Sequence, residues 1–362
     1  MNWSVNSENL KMIEALSNAK APSGFEEETI TAARPYVEDI GPLKEDHLRN
    51  FYIGRHANTG GKPVLMLDAH SDEVGFMVHS IHENGTIRFV TLGGWNLNTL
   101  PSSKVLVRNA LGEYIPGIIA AKPVHFMSAA ERANPTLELK NLVIDVGACS
   151  REEAIKDFHI RIGEPIISDV RFSYDEKHDI MMGKGFDCRI GCAALLETMR
   201  RLKDEPLAVD LEGVLSSQEE VGERGATVAV RTVRPNIAIC FEGCPADDTF
   251  TEPYAIQTAL KKGPMIRFMD CSIICSPRFQ RYTLDLAEMK GLPVQASVRE
   301  GGGNNGAVIN TSLDGIPVIV IGVPVRYIHS HYGITSYYDF EASVQLAVEV
   351  VRSMTPEIIS GF

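Results

Sequence analysis

The polar residues His70 and Asp72 stand one residue apart, shortly after the apolar run of residues 64–67. This pattern predicts a buried strand that delivers two polar side chains at its carboxyl end, where open α/β sheets place their active sites. A neutral imidazole is a common zinc ligand, and a nearby carboxylate can hold the ring in the coordinating tautomer. By itself such a pair more often marks a structural histidine, so the prediction of a metal site depends on later segments.

Carboxylates follow in two of these segments. Asp187 lies just before the amphipathic pattern within residues 183–203, where an aspartate usually only caps a helix. The pair Glu219–Glu220 ends an apolar strand within residues 209–226. Adjacent carboxylates repel each other unless a cation or a proton separates them. Because this pair follows an apolar strand and not a solvated face, it favours a bound cation.

Two more predicted strands end in groups that bind metals. Residues 236–244 predict a strand with Glu242 at its exit, and residues 316–333 predict an apolar strand followed by His329 and His331. The same arrangement therefore recurs along the chain, with a metal-competent side chain at the end of each strand. On this pattern alone, either of the two histidines could be the ligand.

The candidate ligands are His70, Asp187, Glu220, Glu242 and His329. Two imidazoles and three carboxylates suit two zinc-like or cobalt-like ions about 3.5–4 Å apart, bridged by one carboxylate and a water. Manganese is the third candidate metal. Glu219, which is adjacent to a ligand without being one, is then the predicted general base.

The chain resembles the tetrahedral (TET) aminopeptidases, co-catalytic metallo-aminopeptidases that include glutamyl and deblocking aminopeptidases. Some relatives carry an endoglucanase label. The resemblance covers nearly the whole chain, and its individual motifs are short, but their order and spacing are highly specific together. The motifs are APSGFEEE (21–28), LDAHSDEVGF (67–76), GIIAAKPVHF (117–126), IDVGACSREEA (144–154), FDCRIGC (186–192), SSQEEVGERGA (216–226) and RYIHS (326–330).

The resemblance implies a role for each candidate ligand. It implies that His70 and Glu242 hold one metal ion, and that Glu220 and His329 hold the other. Asp187 would bridge the two ions. The register of the family also favours His329 over its neighbour two residues later.

The resemblance further implies that Asp72 orients the first histidine ligand and that Glu219 is the base. Three positions depart from the residues that the family usually has. Cys188 follows the bridging aspartate where relatives usually have asparagine, and Glu242 stands where aspartate is more common. The stretch GGGNN, which often reads GGTD in relatives, has Asn305 in place of a carboxylate.

The pattern of elements predicts an α/β fold with two domains. Strand–helix alternation in residues 1–72 and 166–362 predicts a discontinuous, three-layer α/β/α metallopeptidase domain. Residues 73–165 contain short β-like runs separated by Gly, Asn and Pro turns, which predicts an inserted β-rich domain. The resemblance implies that this insert drives dimerisation, and that dimers build a hollow homo-oligomer, a dodecamer.

Composition agrees with a globular protein of 362 residues, since 44% of the residues are hydrophobic and 23% are charged. The net charge of −12 argues against nucleic acid as a general partner. The sequence predicts neither a signal peptide nor a membrane span. An odd number of cysteines, seven, predicts reduced thiols and a cytoplasmic location.

The predicted activity is that of a metal-dependent aminopeptidase that hydrolyses N-terminal residues from short peptides with a free N-terminus. A metal-bridging hydroxide would attack the peptide carbonyl, with Glu219 as the general base. Two alternatives remain at the level of sequence. One is an endoglucanase-like glycoside hydrolase, which would leave His70 and His329 without a role. The other is a catalytically weak metal-binding relative that acts as a binding or assembly protein.

Overall fold

The computed structural model describes residues 3–133 and 137–362 of the chain. These residues divide into two compact units. The first unit contains the chain up to Glu73 together with Phe172–Ile328 and Tyr332–Phe362. The second unit contains Val74–Arg171 and the short segment His329–His331.

The strands, in chain order, are β1 (Leu43–Glu45), β2 (Phe51–Gly54), β3 (Val64–His70), β4 (Gly75–Ile81), β5 (Ile87–Leu92), β6 (Lys104–Arg108), β7 (Tyr114–Ala120), β8 (Val143–Asp145), β9 (Pro165–Ser168), β10 (Ser173–Asp175), β11 (Ile180–Gly183), β12 (Asp210–Ser216), β13 (Ile237–Pro245), β14 (Met265–Met269), β15 (Gln295–Val298), β16 (Val318–Val325) and β17 (Gly333–Thr335).

The α-helices are α1 (Ser7–Asn18), α2 (Glu27–Ala33), α3 (Ala129–Ala133), α4 (Arg151–Lys156), α5 (Phe186–Leu202), α6 (Arg224–Val233), α7 (Pro277–Lys290), α8 (Gly306–Asn310), α9 (Tyr337–Ser353) and α10 (Pro356–Ser360). Short 3₁₀ turns lie at Arg34–Tyr36, Leu97–Thr99, Val124–Phe126, Leu139–Asn141 and Pro253–Ala255. Among the described residues, no helix is both long enough and apolar enough to cross a membrane.

A mixed sheet is the centre of the first unit, with the strand order β1-β2-β12-β3-β13-β16-β14-β15. Its central strands β12, β3, β13 and β16 run parallel, and the register pairs Ser216 with His70 and Glu242 with Gly322. Parallel central strands are covered on both faces, which is why their sequences are nearly continuous apolar runs. Their carboxyl ends meet at one edge, so side chains from distant parts of the sequence are brought together there.

Helices cover both faces of this sheet. On one face α1, α5, α7 and α9 enclose the larger hydrophobic core, which includes Phe186, Phe279 and Phe340. On the other face α6 and α8 pack over a smaller core that includes Val214 and Val320. This arrangement confirms the predicted three-layer α/β/α class. The small sheet β10-β11-β17 belongs to the same unit.

Helix α9 begins at Tyr337, three residues before the apolar pattern that starts at Phe340. The Ser336 side chain accepts a hydrogen bond from the backbone N–H of Asp339, which is a favourable N-cap. The Asp339 carboxylate in turn accepts hydrogen bonds from the backbone N–H groups of Lys261 and Gly263, at 2.7 and 2.8 Å. The polar cap residues therefore extend the helix beyond its apolar periodicity.

The second unit is a closed barrel of six strands in the order β4-β5-β8-β7-β6-β9. Its interior is apolar and includes Phe76, Phe89 and Ile144. The Phe76 ring stacks on Trp95 with ring centroids 4.6 Å apart. The Phe89 ring packs edge-on against Phe76, with a centroid distance of 5.2 Å. The β-rich composition read from the sequence thus corresponds to a barrel with its own core.

Candidate active site

The imidazole of His70, at the end of β3, faces three carboxylates. Its Nε2 lies 3.1 Å from Oδ1 of Asp187, 3.7 Å from Oε2 of Glu242 and 3.8 Å from Oε2 of Glu219. The His70 side chain is only 1% exposed, and the three carboxylates are 14%, 7% and 13% exposed, respectively. Carboxylates this close together in a buried place remain ionised only beside a compensating cation and otherwise take up protons.

The other nitrogen of His70 is turned towards Asp72. Its Nδ1 lies 3.2 Å from the backbone carbonyl oxygen of Asp72 and 3.4 Å from the side-chain Oδ1. An Nδ1 proton donated to these oxygens leaves the lone pair of a neutral ring on Nε2, on the side of the three carboxylates. This is the orientation that an outer carboxylate imposes on a metal-binding histidine.

The pKa of His70 reflects the same surroundings. Burial alone would lower the pKa of this imidazole, but the charge of Glu219 and the hydrogen bonds with Asp187 and Asp72 raise it well above the ordinary value. Without a metal, the ring would hold a proton as the cation that the site demands. A divalent ion satisfies that demand better, since it can contact several carboxylates at once.

Burial also raises the pKa values of the Glu219 and Glu242 carboxyl groups well above the ordinary value. The charges of neighbouring carboxylates, above all Glu220 at the first and Asp187 at the second, add to that shift. A bound cation would reverse this effect and keep both groups ionised. The donor set of imidazole nitrogen and carboxylate oxygen therefore fits a divalent transition-metal ion.

Two clusters of possible ligand atoms surround His70, with all atoms in each cluster within 4.8 Å of one another. One cluster consists of His70, Asp187, Cys188 and Glu242, and the other of His70, Glu219 and Glu220. The structure therefore brings together five of the predicted side chains of the first unit. It adds Cys188, which the sequence analysis did not count among the ligands.

Asp72 organises the turn that carries the two adjacent glutamates. Its Oδ1 accepts a hydrogen bond from the backbone N–H of Glu219 at 3.0 Å, and its Oδ2 accepts one from Glu220 at 3.3 Å. The Ser23 hydroxyl donates to Oδ2 at 2.6 Å. Burial alone would raise the pKa of Asp72, but the hydrogen bonds from His70, Ser23 and Glu219 hold it below the ordinary value. Asp72 is therefore an ionised anchor at the centre of the site.

A second buried carboxylate, Glu26, holds the residue before this pair. Its Oε1 accepts hydrogen bonds from the backbone N–H groups of Gly24 and Gln218, at 2.7 and 3.1 Å. Gln218 has a φ of +54°, a left-handed conformation that costs roughly 1–2 kcal/mol in a residue with a side chain. Burial and the charge of Asp72 raise the pKa of Glu26 to about 7.

The role of Glu26 was not predicted from the sequence. The residue is the first of three glutamates in the motif APSGFEEE, and only the structure shows that it is buried while its two neighbours are not. The motif itself was the available signal, because a glutamate two residues after a glycine can accept a hydrogen bond from the glycine's backbone N–H, as Glu26 does from Gly24.

Asp187 lies at the start of α5, where the backbone of Asp187 and Cys188 is not helical. Behind it, the guanidinium of the fully buried Arg189 donates to the backbone carbonyls of Ser71, Leu16 and Ala21, each at 2.8 Å. These bonds tie the beginning of α5 to the loop after β3. Asp187 is thereby held close to His70, at the end of β3.

Glu242 lies within β13 and not at its exit, because the strand continues to Pro245. Every residue of this strand before Pro245 is buried. The carboxylate therefore projects from the body of the sheet towards His70. The additional methylene of glutamate extends its reach to the 3.7 Å separation from the imidazole.

The two histidines after β16 belong to the second unit. Nδ1 of His329 lies 2.8 Å from the carbonyl oxygen of Gly94, to which it donates, so the lone pair of the neutral ring is on Nε2. His331 is buried, with Nδ1 2.7 Å from the Ser168 hydroxyl and its ring 5.1 Å from that of Trp95. His331 therefore packs and forms a hydrogen bond within the barrel unit.

Comparisons with known proteins agree with this chemistry. The profile of a family described as M42 glutamyl aminopeptidase matches residues 51–346. The chain belongs to this family. M42 peptidases are metal-dependent hydrolases that act on peptide bonds, which matches the cation-demanding cluster around His70.

Two curated M42 relatives cover almost the whole chain. The chain is 31% identical to a protein named putative aminopeptidase FrvX of Escherichia coli K12, with 98% of each chain covered. It is 30% identical to the glutamyl aminopeptidase of Lactococcus lactis, with 96% of this chain and 97% of the relative covered. The similarity thus extends over the full length and is not confined to the motifs.

Solved structures show the same fold. A TET aminopeptidase from the archaeon Thaumarchaeota archaeon SCGC AB-539-E09 has a TM-score of 0.93 and 34% identity, with 98% of this chain and 99% of that chain covered. The TET1 peptidase of Pyrococcus horikoshii, which can assemble into a tetrahedron or a large octahedral shell, has a TM-score of 0.85 and 26% identity. In that comparison 96% of this chain and 100% of the other are covered.

One departure from the usual M42 pattern now has a structural setting. Asn305 donates hydrogen bonds from Nδ2 to Oδ2 of Asp68 and to the Ser216 hydroxyl, both at 2.8 Å. Burial raises the pKa of Asp68 to about 6. An aspartate at position 305 would place a second carboxylate against Asp68, whereas the amide supplies a donor instead.

Proposed function

We propose that this M42 peptidase is an aminopeptidase that removes N-terminal residues from short peptides and that depends on two divalent ions. The main support is the cluster of three carboxylates within 4 Å of Nε2 of His70. A neutral imidazole and several ionised carboxylates share so small a buried space stably only around a cation.

The proposed ligands follow the family pattern. His70 and Glu242 would hold one ion, Glu220 and His329 would hold the other, and Asp187 would be a ligand of both. Zinc or cobalt suits this nitrogen and oxygen donor set best, and manganese is the third candidate. When bound, the ions would make a water molecule acidic enough to act as the nucleophile and would polarise the scissile carbonyl.

The residues of the chain perform the proton transfers. Glu219 takes the proton from the attacking water and delivers it to the amine that leaves, so that it serves first as base and then as acid. Its backbone N–H donates to Asp72, which holds the turn that carries the Glu219 side chain. Asp72 also orients His70, so the base and the first ligand share one anchor.

The acidic character of the site also explains why a free N-terminus would be required. The α-ammonium group of a peptide is a cation that the carboxylates of the site can bind. An acetylated N-terminus carries no positive charge. The carboxylate that would bind the ammonium group would then remain buried without a partner. Such a loss costs about 1–3 kcal/mol or more.

A panel of aminoacyl substrates, each with a free and an acetylated amine, tests this proposal. The metal-stripped chain is assayed alone and after addition of zinc, cobalt or manganese. We expect turnover only with metal and with a free amine, and complete inhibition by a chelator. Rapid release of acetylated residues would contradict the amine requirement. Metal-independent hydrolysis of a glucan included in the panel would support the glycoside hydrolase alternative.

We further propose self-association into a dodecamer built from dimers, with the predicted insert at residues 73–165 as the dimerisation domain and residues 1–72 and 166–362 as the catalytic domain. The assembly of the Pyrococcus horikoshii relative supports this proposal. The second unit also exposes large apolar side chains, among them Val124 at 54% and Phe126 at 73%. Clustered apolar exposure is typical of interaction surfaces.

We place the enzyme in the cytoplasm, with peptides and other copies of the chain as its partners. The seven cysteines are free thiols, five of them buried, which is compatible with a reducing compartment. The net charge of −12 disfavours a nucleic acid partner.

A further inference from the structure

Cys188 is the one member of the first ligand cluster that the M42 pattern does not explain. Its Sγ, a ring nitrogen of His70 and a carboxylate oxygen of Glu242 all belong to a cluster of atoms within 4.8 Å of one another. Donor atoms around one tetrahedral zinc ion are about 3.3–3.8 Å apart, because the bonds are about 2.0–2.3 Å long. Small side-chain adjustments are therefore sufficient for the sulfur to reach an ion held by the other two residues.

We propose that Cys188 binds one of the two metal ions as a thiolate, beside His70 and Glu242. This inference rests on the metal centre of the proposed function and extends it by a ligand that the family pattern lacks. The site would then combine nitrogen, oxygen and sulfur donors.

The burial of the cysteine supports a specific role for its sulfur. Cys188 is 0% exposed, and its thiol donates to the backbone carbonyl oxygen of Phe241 at 3.2 Å. A thiol is a weak donor, so this hydrogen bond offers little resistance to coordination. Phe241 directly precedes Glu242 in β13, and the contact therefore holds the sulfur next to the backbone that carries the carboxylate ligand.

The charges and protons balance on coordination. The S–H bond of Cys188 breaks, its proton leaves to solvent, and a metal–sulfur bond forms. A thiolate among carboxylates is unfavourable by itself, but the divalent ion supplies the charge that stabilises all of them. Because sulfur is a soft donor, this ligand shifts the preference of the site towards zinc and cobalt and away from manganese.

Cobalt substitution tests the ligand directly, since a thiolate bound to Co²⁺ produces a charge-transfer absorption in the near ultraviolet and carboxylates do not. The metal-stripped full-length chain is titrated with cobalt under anaerobic conditions, and bound cobalt is measured by elemental analysis. The variants are Cys188→Ser and Cys188→Asn, the second of which restores the residue usual in relatives. Cys275→Ala removes a buried thiol from the other face of the sheet, outside the ligand cluster, and is the matched control.

We expect the absorption in the wild type and in Cys275→Ala, and its loss in both Cys188 variants. The preference for zinc over manganese should also fall in Cys188→Asn, by at least about the 10–100-fold that an outer-shell partner contributes to affinity. If the serine variant does not fold, the spectra of the wild type and of Cys188→Asn still show whether Cys188 is a ligand.

Two contrary outcomes can be told apart. Cobalt bound to the wild type without the absorption, or an absorption that persists in a Cys188 variant, overturns the thiolate ligand and leaves the proposed metal centre intact. A wild type that binds no cobalt and no zinc overturns both proposals together.

Discussion

At the scale of single residues, the chemistry centres on the contrast between two adjacent glutamates. Glu219 lies 3.8 Å from Nε2 of His70, and Glu220 belongs to the same cluster of possible ligand atoms. Their backbone N–H groups are held by the same carboxylate, that of Asp72. Adjacent side chains can therefore take separate roles, one as base and the other as ligand.

Glu219→Gln should abolish turnover while the metal content stays near that of the wild type. Glutamine has the same shape but cannot take a proton, and loss of a general base typically costs about 10²–10⁴ in rate. Activity assays combined with elemental analysis of the purified variant provide the measurement. Glu220→Gln is the matched comparison, which should instead lose metal. If Glu219→Gln loses its metal, the assignment of base and ligand must be exchanged.

Asp187→Ala should release both metal ions together. A bridging carboxylate contacts both ions, and without it two cations face each other unscreened at short distance. The competing role, that of a helix cap, predicts a loss of only about 1 kcal/mol in stability with metal binding unchanged. Metal analysis and a thermal melt of the same sample distinguish the two. Retention of both ions with a slightly lower melting temperature would favour the cap.

At the scale of elements, the site depends on two buried carboxylates that hold one turn. Asp72, after β3, accepts from Glu219 and Glu220, while Glu26, before α2, accepts from Gln218. Three consecutive backbone N–H groups after β12 are thus bound by side chains from elsewhere in the fold. The left-handed conformation of Gln218 persists because these acceptors define the path of the turn.

Glu26→Ala should destabilise the fold, because it leaves two backbone N–H groups without their acceptor and creates a cavity. Together these effects cost about 2–4 kcal/mol. Glu26→Gln keeps the accepting oxygen and should cost much less. Chemical denaturation of both variants measures the difference. Equal stability of the two variants would show that the hydrogen bonds to Gly24 and Gln218 contribute nothing.

The stability difference between the wild type and Glu26→Gln should also depend on pH. The pKa of Glu26 is about 7 in the folded chain, above the ordinary 4.5, so folding favours the protonated form. The stability that this group contributes is fully present below about pH 4.5 and is lost as the pH rises through 7. Relative to Glu26→Gln, the wild type should therefore lose stability between pH 5 and pH 8. A constant difference over that range would contradict the raised pKa.

At the scale of the whole molecule, the barrel unit is the region where association should be tested. The double variant Val124→Asp, Phe126→Asp places two charges on an exposed apolar segment and should reduce the particle mass measured by light scattering. Phe250→Asp, at a side chain 72% exposed in the first unit, is the matched control and should leave the mass unchanged. Unchanged mass in the double variant would exclude this segment from the interface.

The α/β fold class could be predicted from the amino-acid sequence alone. Apolar runs such as that of β3 are long, continuous and bounded by polar residues, so their burial follows from composition and periodicity. The positions of His70, Asp187 and the glutamate pair at strand and helix ends followed from the same patterns, because parallel strands present their carboxyl ends at one edge.

Which side chains contact one another could not be predicted from these local patterns. Burial distinguishes Glu26 from the two glutamates that follow it, and it depends on packing against segments nearly two hundred residues away. The proximity of Cys188 to His70 likewise depends on how α5 lies against β3 and β13. Local sequence defines elements through short-range periodicity, whereas distances between ligand atoms depend on the packing of elements that are remote in the chain.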